Sequence, residues 1–297
     1  MTNSVNSQKA ILLVDANPEI AALIAGVVGS LPWAVETVSS NEAALALIKA
    51  RRFDIVITSE KTCAEEDLDL LRRIRRVHPH TRVIILTPGG TPATVAAAIR
   101  ESAFSYFSAP FVLDQVKMLV QTALETPAWD DGIELKSATP SWIRLFARCD
   151  HATADRLVQF VSEIAKDLSL DGRADLSTAF REMLLNAMEH GGRFDLNEYV
   201  ELSYLRSQRA ISCRIRDPGK GFSLDEIPHS AVAYPPETPW AHTEHREAQG
   251  LRPGGYGILL ARSFVDEVIY NEQGNEVILI KYVDKEGREG AAARAGL

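Results

Sequence analysis

The chain has 297 residues, which suits two domains, and 46% of them are hydrophobic, enough for each domain to bury a sizeable core. Its 40 acidic side chains outnumber the 32 basic ones, and the net charge of −8 argues against a general nucleic-acid-binding surface. No apolar stretch approaches the roughly 20 residues that a membrane-spanning helix needs, and the polar N-terminal residues lack a signal-peptide core, so we expect a cytoplasmic protein with no direct contact to nucleic acid or membrane.

Short β-rich runs alternate five times with amphipathic helical segments between residues 10 and 124. The strands are predicted at "ILLV", "AVETV", "DIVIT", "VIIL" and "FSYF". Because parallel strands need crossovers, five such cycles predict an α/β fold with a doubly wound, five-stranded parallel sheet. Ligands of these sheets bind at the carboxyl ends of the strands, where Asp15, Ser59, Thr87 and Ala109 stand.

This half resembles the flavodoxin-like receiver domain of bacterial two-component response regulators. Receivers carry an acidic pair after the first strand, a phosphoacceptor Asp after the third, Thr or Ser after the fourth, and Lys-Pro after the fifth. Asp15 and Thr87 match this pattern. Ala16, Ser59 and Ala109 replace the second acid, the phosphoacceptor and the lysine.

The replaced residues bear directly on the phosphotransfer chemistry of that family. It needs a carboxylate nucleophile, Mg²⁺ held by clustered carboxylates, and a lysine. A serine hydroxyl cannot form an acyl phosphate, and Glu60 does not compensate because adjacent strand residues point to opposite faces. The resemblance therefore implies a pseudo-receiver over residues 1–125, for docking or for assembly into a homodimer. A switch driven by a partner or by modification of Ser59 remains the alternative.

A second domain is predicted at residues 138–285, after a linker at 126–137 and before a disordered tail at 286–297. It begins with the strand "SWIRLFARC" and the helix "ADRLVQFVSEIAKDL". A helix ending in "REMLLNAMEHGG" follows, then the strands "EYVELSYL" and "AISCRIRD", and finally a hairpin that turns at residues 271–275. We predict an α/β sandwich in which helices cover one face of a mixed sheet.

Glu182, Asn186 and His190 interrupt the apolar content of the second helix at four-residue spacing. Four residues advance an α-helix by about 40°, so these side chains are predicted to lie on one face. The stripe is either a solvated face or the wall of a buried site.

Two glycine-rich segments follow that helix. "DPGKGF" begins at Asp217 as a strand ends, and "GLRPGGYGILLARSF", residues 250–264, opens a further helix. Either segment alone is explained by an ordinary turn. In this order, the polar stripe and the two segments resemble the Bergerat-type ATP-binding domain of the GHKL superfamily, which includes gyrase, Hsp90, histidine kinases and anti-sigma-factor serine kinases.

The resemblance assigns residues to each box of that superfamily. Glu182 and Asn186 match the N-box, and His190 follows as in the anti-sigma branch. The two glycine boxes are matched by Asp217, Gly219, Gly221, Gly254, Gly255 and Gly257.

These matches imply a site for ATP with Mg²⁺. Asn186 would offer a carbonyl oxygen to Mg²⁺, Glu182 would act as general base, and Asp217 would accept a hydrogen bond from the adenine amino group. The first glycine box would let the backbone pass close to the base, and the second would expose N–H groups to phosphate at a helix N-terminus. His190 either contacts the ligand or packs the helix end.

Other features of the sequence do not point to a further site. Cys63, Cys149 and Cys213 are far apart and in no C-x-x-C pair, which predicts free thiols. The basic run "RRIRR" at residues 72–76 is explained by a solvated helix face. The stretch between the glycine boxes corresponds to a mobile lid, and its "HTEH" lacks the second ligand pair of a zinc site.

The compact second half lacks the helical hairpin that carries the phosphoacceptor His of histidine kinases, so it resembles the anti-sigma branch most. That branch phosphorylates Ser or Thr on an anti-anti-sigma (STAS-type) partner, and binds this partner or a sigma factor. We hypothesise an ATP-dependent serine/threonine kinase of the partner-switching type. The alternative is a nucleotide-gated protein that sequesters its partner without phosphorylating it.

Overall fold

The computed structural model describes residues 9–14, 17–29, 31–59, 61–126, 131–221 and 257–283. The chain divides into two compact units, Met1–Asp131 and Gly132–Leu297. Within the described ranges, no helix combines the length and apolarity needed to cross a bilayer.

The first unit is a five-stranded, all-parallel sheet in the order β2-β1-β3-β4-β5, which confirms the doubly wound fold predicted from the sequence. The strands are β1 Lys9–Val14, β2 Trp33–Val38, β3 Ile55–Ile57, β4 Arg82–Thr87 and β5 Ser105–Ser108. The helices are α1 Pro18–Val28, α2 Asn41–Ala50, α3 Ala64–Val77, α4 Pro92–Arg100 and α5 Leu113–Glu125.

The carboxyl edge of this sheet holds small, buried hydroxyl side chains. Ser59 is 1% exposed after β3, and Thr87, the last residue of β4, is fully buried. The Ser59 carbonyl accepts a 2.8 Å hydrogen bond from the Thr62 hydroxyl, which folds the loop over it. In this arrangement the Ser59 side chain is closed to solvent. Asp15, Ala16 and Glu60 lie outside the described residues.

The basic run at residues 72–76 is more than a solvated face. The Arg75 guanidinium donates to the Pro79 and Glu101 carbonyl oxygens at 3.1 and 3.2 Å and to those of Thr81 and Ser102 at 2.5 Å. It thereby joins the loop after α3 to the end of α4. Among side chains, only a guanidinium presents enough donors for these four hydrogen bonds. Its neighbour Arg76 is exposed, as the sequence predicts.

The second unit is a six-stranded sheet in the order β10-β11-β9-β8-β7-β6. Every described strand pair is antiparallel, so the expectation of a mixed sheet was wrong; the strands come as three hairpins placed side by side with alternating direction. The strands are β6 Ile133–Ala138, β7 Trp142–Arg148, β8 Tyr199–Arg206, β9 Ala210–Arg216, β10 Glu267–Tyr270 and β11 Glu276–Tyr282. The helices are α6 His151–Ile164, α7 Leu170–Asn186 and α8 Gly257–Phe264, and a π-helix, Ala187–Gly191, continues α7.

Strand β6 occupies the end of the segment predicted as the linker. Its side chains alternate between exposed and half-buried, with Glu134 and Lys136 on the exposed side. Charged side chains are a common protection for the edge of a sheet. The prolines, the glycine and the acidic pair that indicated a linker precede or follow this strand in the sequence, and the strand's own charged residues lie on its exposed side. The predicted tail lies outside the described residues.

Apolar side chains alternate along the central strands of this sheet, at positions such as Leu145, Leu202 and Cys213, and their face is covered by α6 and α7. The opposite face carries a ladder of charges. Arg144 pairs with Glu201 at 2.8 Å, and Arg214 pairs with Glu201 and Glu276 at 3.2 and 2.6 Å. The sheet therefore has one apolar and one polar face, which places the helices and the loops at their ends on one side.

We expect Arg75→Lys to loosen the first unit, because a lysine cannot bridge four carbonyl oxygens. A loss of about 1.5–3 kcal/mol, typical for hydrogen bonds to a charged group, would speed amide exchange in β4 and β5 roughly 10- to 100-fold. Hydrogen-exchange mass spectrometry on the full chain measures this. Arg76→Lys is the matched control and should leave both strands unchanged; equal exchange in the two variants would contradict the bridging role.

Candidate functional site

Gly257 meets Glu182 and Asn186 near the C-terminal end of α7, and Asp217 lies against Gly191 of the π-helix that continues it. Helix α7 starts at the N-cap Ser169, whose hydroxyl accepts from the Gly172 N–H at 3.1 Å. Its buried residues, among them Met183 and Leu184, pack into the unit. Contacts of α7 with α6, α8 and the sheet hold its last turn in place.

The start of α8 lies directly against the polar stripe. A Cβ added at Gly257 would lie 3.1 Å from Asn186 Nδ2 and 3.2 Å from Glu182 Oε2. Both side chains are half-buried. Of the two interpretations of the stripe, these contacts favour the wall of a site over a plain solvated face.

Helix α8 is fixed at its far end by one lysine. Lys281 Nζ donates to the carbonyl oxygen of Phe264, the last residue of α8, at 2.6 Å and to Asp175 Oδ2 on α7 at 2.9 Å. A cation at this end is favourable because the unpaired carbonyls of a helix C-terminus carry partial negative charge. These hydrogen bonds tie α8 to α7, so Gly257 stays close to Glu182 and Asn186.

A π-turn separates His190 from the other two stripe residues. Helix α7 ends at Asn186, and the Gly192 N–H donates to the Ala187 carbonyl oxygen five residues earlier at 3.0 Å. A π-turn holds one residue more than an α-turn, so the four-residue register predicted for His190 does not continue past Asn186. His190 is exposed, and its charge acts on Asp217.

Two adjacent glycines let the π-helix approach the sheet. A Cβ at Gly191 would lie 2.4 Å from the Asp217 carboxyl group, and a Cβ at Gly192 would lie 2.2 Å from Cys149 Sγ. Neither position has room for a side chain. The Cys149 thiol is inert in this place, because burial raises its pKa to about 11.

Asp217 lies at the end of β9 with its carboxyl group half-buried. Its Oδ1 accepts from the Gly219 N–H at 2.8 Å, and its own N–H donates to the Asn275 carbonyl oxygen at 2.9 Å. Burial raises the pKa of Asp217, and the Gly219 hydrogen bond opposes that rise. Among the other described residues, Gly219 is the one that donates a hydrogen bond to this carboxyl group, which leaves the group able to accept a further hydrogen bond from a ligand.

The β10–β11 turn supports the loop after Asp217. Gly221 has φ +80°, and a Cβ there would lie 1.8 Å from the Gln273 carbonyl oxygen. Asn275 Nδ2 donates to the Gly219 carbonyl oxygen at 3.4 Å, and Gln273 Nε2 donates to that of Lys220 at 3.3 Å. The two positions of the loop thus require glycine for different reasons. Gly219 lies close to Asp217, and Gly221 has a left-handed backbone conformation.

Several sequence-predicted features lie outside the described residues: Gly254, Gly255, the stretch corresponding to a lid, and the "HTEH" within it. Sequence reasoning in turn overlooked the contacts of Gly192 with Cys149 and of Asn275 with the loop. The glycine pair was visible in the sequence, but the residues that it contacts were not. Cys149, which follows β7, is about 40 residues from Gly192, and Asp217, which follows β9, is about 30 residues from Gly191. Within the described residues, no three His, Cys, Asp or Glu side chains cluster as a metal cage.

Two protein-family models match the chain. Residues 11–121 match the response regulator receiver domain, and residues 147–281 match the histidine kinase-like ATPase domain.

Individual relatives match one half each. The nitrogen assimilation regulatory protein NtrX of Azorhizobium caulinodans is 33% identical over 121 residues, which are 39% of this chain and 26% of that protein. The serine-protein kinase RsbW of Oceanobacillus iheyensis is 28% identical over 158 residues, which are 52% of this chain and 89% of that protein. A solved signal receiver domain of an HD domain-containing protein from Pseudomonas fluorescens Pf-5 is 28% identical, covers 42% of this chain and 92% of that chain, and has a TM-score of 0.35. The chain spans about a quarter of the length of curated relatives such as NtrX that match its first half.

We expect Gly192→Ala to destabilise the second unit, because its methyl group would overlap the Cys149 sulfur. Overpacking of this kind costs about 1–3 kcal/mol, and thermal unfolding followed by far-UV circular dichroism measures it. Removing the sulfur makes room, so the double variant with Cys149→Ala should recover part of the loss. A double variant as unstable as the sum of the two single variants would contradict the contact.

Proposed function

Because the chain joins a response regulator receiver domain to a histidine kinase-like ATPase domain, we propose that it is an ATP-dependent serine/threonine protein kinase of the anti-sigma partner-switching type. The observation that carries this proposal is the meeting of Glu182, Asn186 and the start of α8 at one end of a site whose other end is Asp217. A potential base, a potential metal ligand and a helix N-terminus then lie together, as phosphoryl transfer requires.

Asp217 would bind the adenine end of ATP. Its carboxyl group would accept a hydrogen bond from the amino group, and the group is half-buried, which raises its pKa and places the hydrogen bond where it gains strength. Gly191 and Gly219 lie close to each other and to the carboxyl group, so the backbone beside Asp217 carries no side chain that would cover it. His190 would contribute positive charge nearby.

Asn186 would hold Mg²⁺ together with the phosphates. Its side-chain oxygen has no hydrogen bond to another described residue, and a neutral oxygen suits a metal that keeps several waters and phosphate ligands. When bound, Mg²⁺ would supply positive charge to the phosphate oxygens. Gly257 keeps the start of α8 beside this residue, and Gly254 and Gly255 precede it in the sequence.

Glu182 would take the proton from the hydroxyl group of the substrate. Its side chain is 30% exposed, so a protein segment can reach it, and Oε2 is the oxygen nearest the start of α8. A carboxylate at this place suits proton abstraction in a transfer whose main needs are position and charge.

The partner we propose is an anti-anti-sigma (STAS-type) protein, or a sigma factor held without phosphorylation. The similarity to RsbW, which is named a serine-protein kinase, over most of that protein's length supports this class of partner. The rival proposal, a nucleotide-gated binder that only sequesters its partner, requires no base at position 182.

The receiver domain would be a phosphorylation-incompetent module for regulation or homodimer assembly. Ser59 stands where receivers carry their phosphoacceptor, and its 1% exposure also argues against the alternative that Ser59 is modified. Of the two segments that receivers commonly use to pair, α4 has Thr94 to Ile99 buried, whereas α5 exposes Lys117, Met118 and Gln121. We therefore place any pairing surface on α5.

The different jobs of Asn186 and Glu182 predict different kinetic defects. Asn186→Ala should weaken binding of Mg·ATP and abolish phosphate transfer together. Glu182→Ala should bind Mg·ATP nearly normally and transfer phosphate at least ~100-fold more slowly, since a general base contributes about 10²- to 10⁴-fold. Calorimetry with Mg·ATP and transfer from labelled ATP to a purified STAS-type partner encoded beside this chain give both numbers.

Glu189→Ala is the matched control, because Glu189 is an exposed acid on the π-helix. It should behave as the wild type. Equal loss of ATP binding in the Glu182 and Asn186 variants would make Glu182 structural. A wild-type protein that binds ATP and partner without transferring phosphate would favour the sequestering binder.

Acetyl phosphate with Mg²⁺ should leave no acyl phosphate on the receiver domain, because Ser59 and Ala109 stand in place of the nucleophile and the lysine. Labelling of the full chain, followed by acid and hydroxylamine treatment and peptide mapping, tests this. An acid-stable serine phosphate would not count against the missing acyl phosphate, whereas a hydroxylamine-sensitive label within residues 1–125 would refute the prediction.

A further inference from the structure

One arginine lies between two carboxylates beside the proposed base. Arg181 Nη1 is 3.9 Å from Glu182 Oε1, and Arg181 Nη2 is 3.9 Å from Asp155 Oδ1 on α6. The three side chains thus form a chain of alternating charge from α6 to α7. The Arg181 side chain is 48% exposed and that of Asp155 is 23% exposed, so water weakens these contacts without removing them.

The two oxygens of Glu182 have different surroundings. Oε1 lies toward Arg181, whereas Oε2 lies 3.2 Å from the position of a Cβ at Gly257, toward Asn186 and the start of α8. A carboxylate with one oxygen attracted by a neighbouring cation has fewer orientations available to its other oxygen. The arginine therefore favours the orientation that aims Oε2 at the site.

Asp155 is placed to hold the arginine. Burial raises the pKa of Asp155, while the charges of Arg181 and then His151 lower it and that of Asp150 raises it. These are the charged groups that α6 and α7 present to Asp155. Of the two positive charges that oppose the rise in the pKa of Asp155, Arg181 has the larger effect. The Asp155–Arg181 pair therefore stabilises the carboxylate form and keeps the guanidinium between the helices.

We propose that Arg181, anchored by Asp155, is a positioning residue that orients Glu182 for proton abstraction. This inference rests on the proposed kinase function. In the step it serves, the substrate hydroxyl oxygen bonds to the γ-phosphorus of ATP, the bond from that phosphorus to the ADP oxygen breaks, and the hydroxyl proton passes to Glu182 Oε2. The contacts of Arg181 in the structure are with the carboxylates of Glu182 and Asp155, so it would act through Glu182.

Arg181→Ala tests the proposal in the full chain, with Mg·ATP and the STAS-type protein of the transfer assay. We expect kcat to fall about 10-fold, as small misplacement of a catalytic group does, with the KM values for ATP and the partner within a few-fold. Arg181→Lys should recover part of the rate, and Asp155→Asn should lower kcat by a smaller factor. Arg173→Ala, on the same helix, is the control and should leave kcat unchanged.

Double variants decide whether Arg181 acts through Glu182 and whether Asp155 acts through Arg181. In the Glu182→Ala background, Arg181→Ala should have no further effect, and in the Arg181→Ala background, Asp155→Asn should have none. A 10-fold loss that persists without Glu182, or a loss that appears in KM alone, would overturn the proposal. An active wild type with a fully active Arg181→Ala variant would also overturn it while the kinase function stands, and a wild type that transfers no phosphate would refute both.

Discussion

The site depends on how closely the backbone of the π-helix approaches the sheet. Gly191 lies against the Asp217 carboxyl group and Gly192 against the Cys149 sulfur, at separations that exclude even a methyl group. These contacts fix the end of α7 onto β7 and β9 at once. Asn186 lies between one and two turns and Glu182 between two and three turns before the junction, so their position relative to Asp217 follows from it. A larger residue at either glycine would separate the two ends of the site.

The first half keeps the packing of a parallel α/β sheet while uncharged residues stand at its carboxyl edge. The apolar residues of β1, β3 and β4 are buried as a parallel sheet between helices requires, and helix caps such as Asn17, Ser40 and Thr91 are in place. At the carboxyl edge, neutral hydroxyl and methyl groups occupy positions that receivers give to charged side chains.

Strong local patterns predicted the elements of both halves, because the order of strands and helices follows from hydrophobic periodicity. The strands β7, β8 and β9, the 271–275 turn and the grouping of Glu182 with Asn186 were all visible in this way. The π-turn was not, since nothing in "NAMEHGG" distinguishes five-residue from four-residue hydrogen bonding. Strand β6 was missed because an edge strand needs little apolar sequence. The role of Arg75 depends on backbone carbonyl groups, which every residue has, so no pattern in the sequence indicated it.

The turn between β10 and β11 is short, exposed in part and rich in polar residues, features that usually mark a place where a chain accepts added residues. Here the turn is in contact with Gly221 through the Gln273 carbonyl oxygen and with Gly219 through Asn275. Its length is thereby coupled to the loop that follows Asp217. A protein engineer who chose this hairpin for an epitope tag or a circular permutation would therefore also alter the surroundings of Asp217, although the insertion point faces solvent.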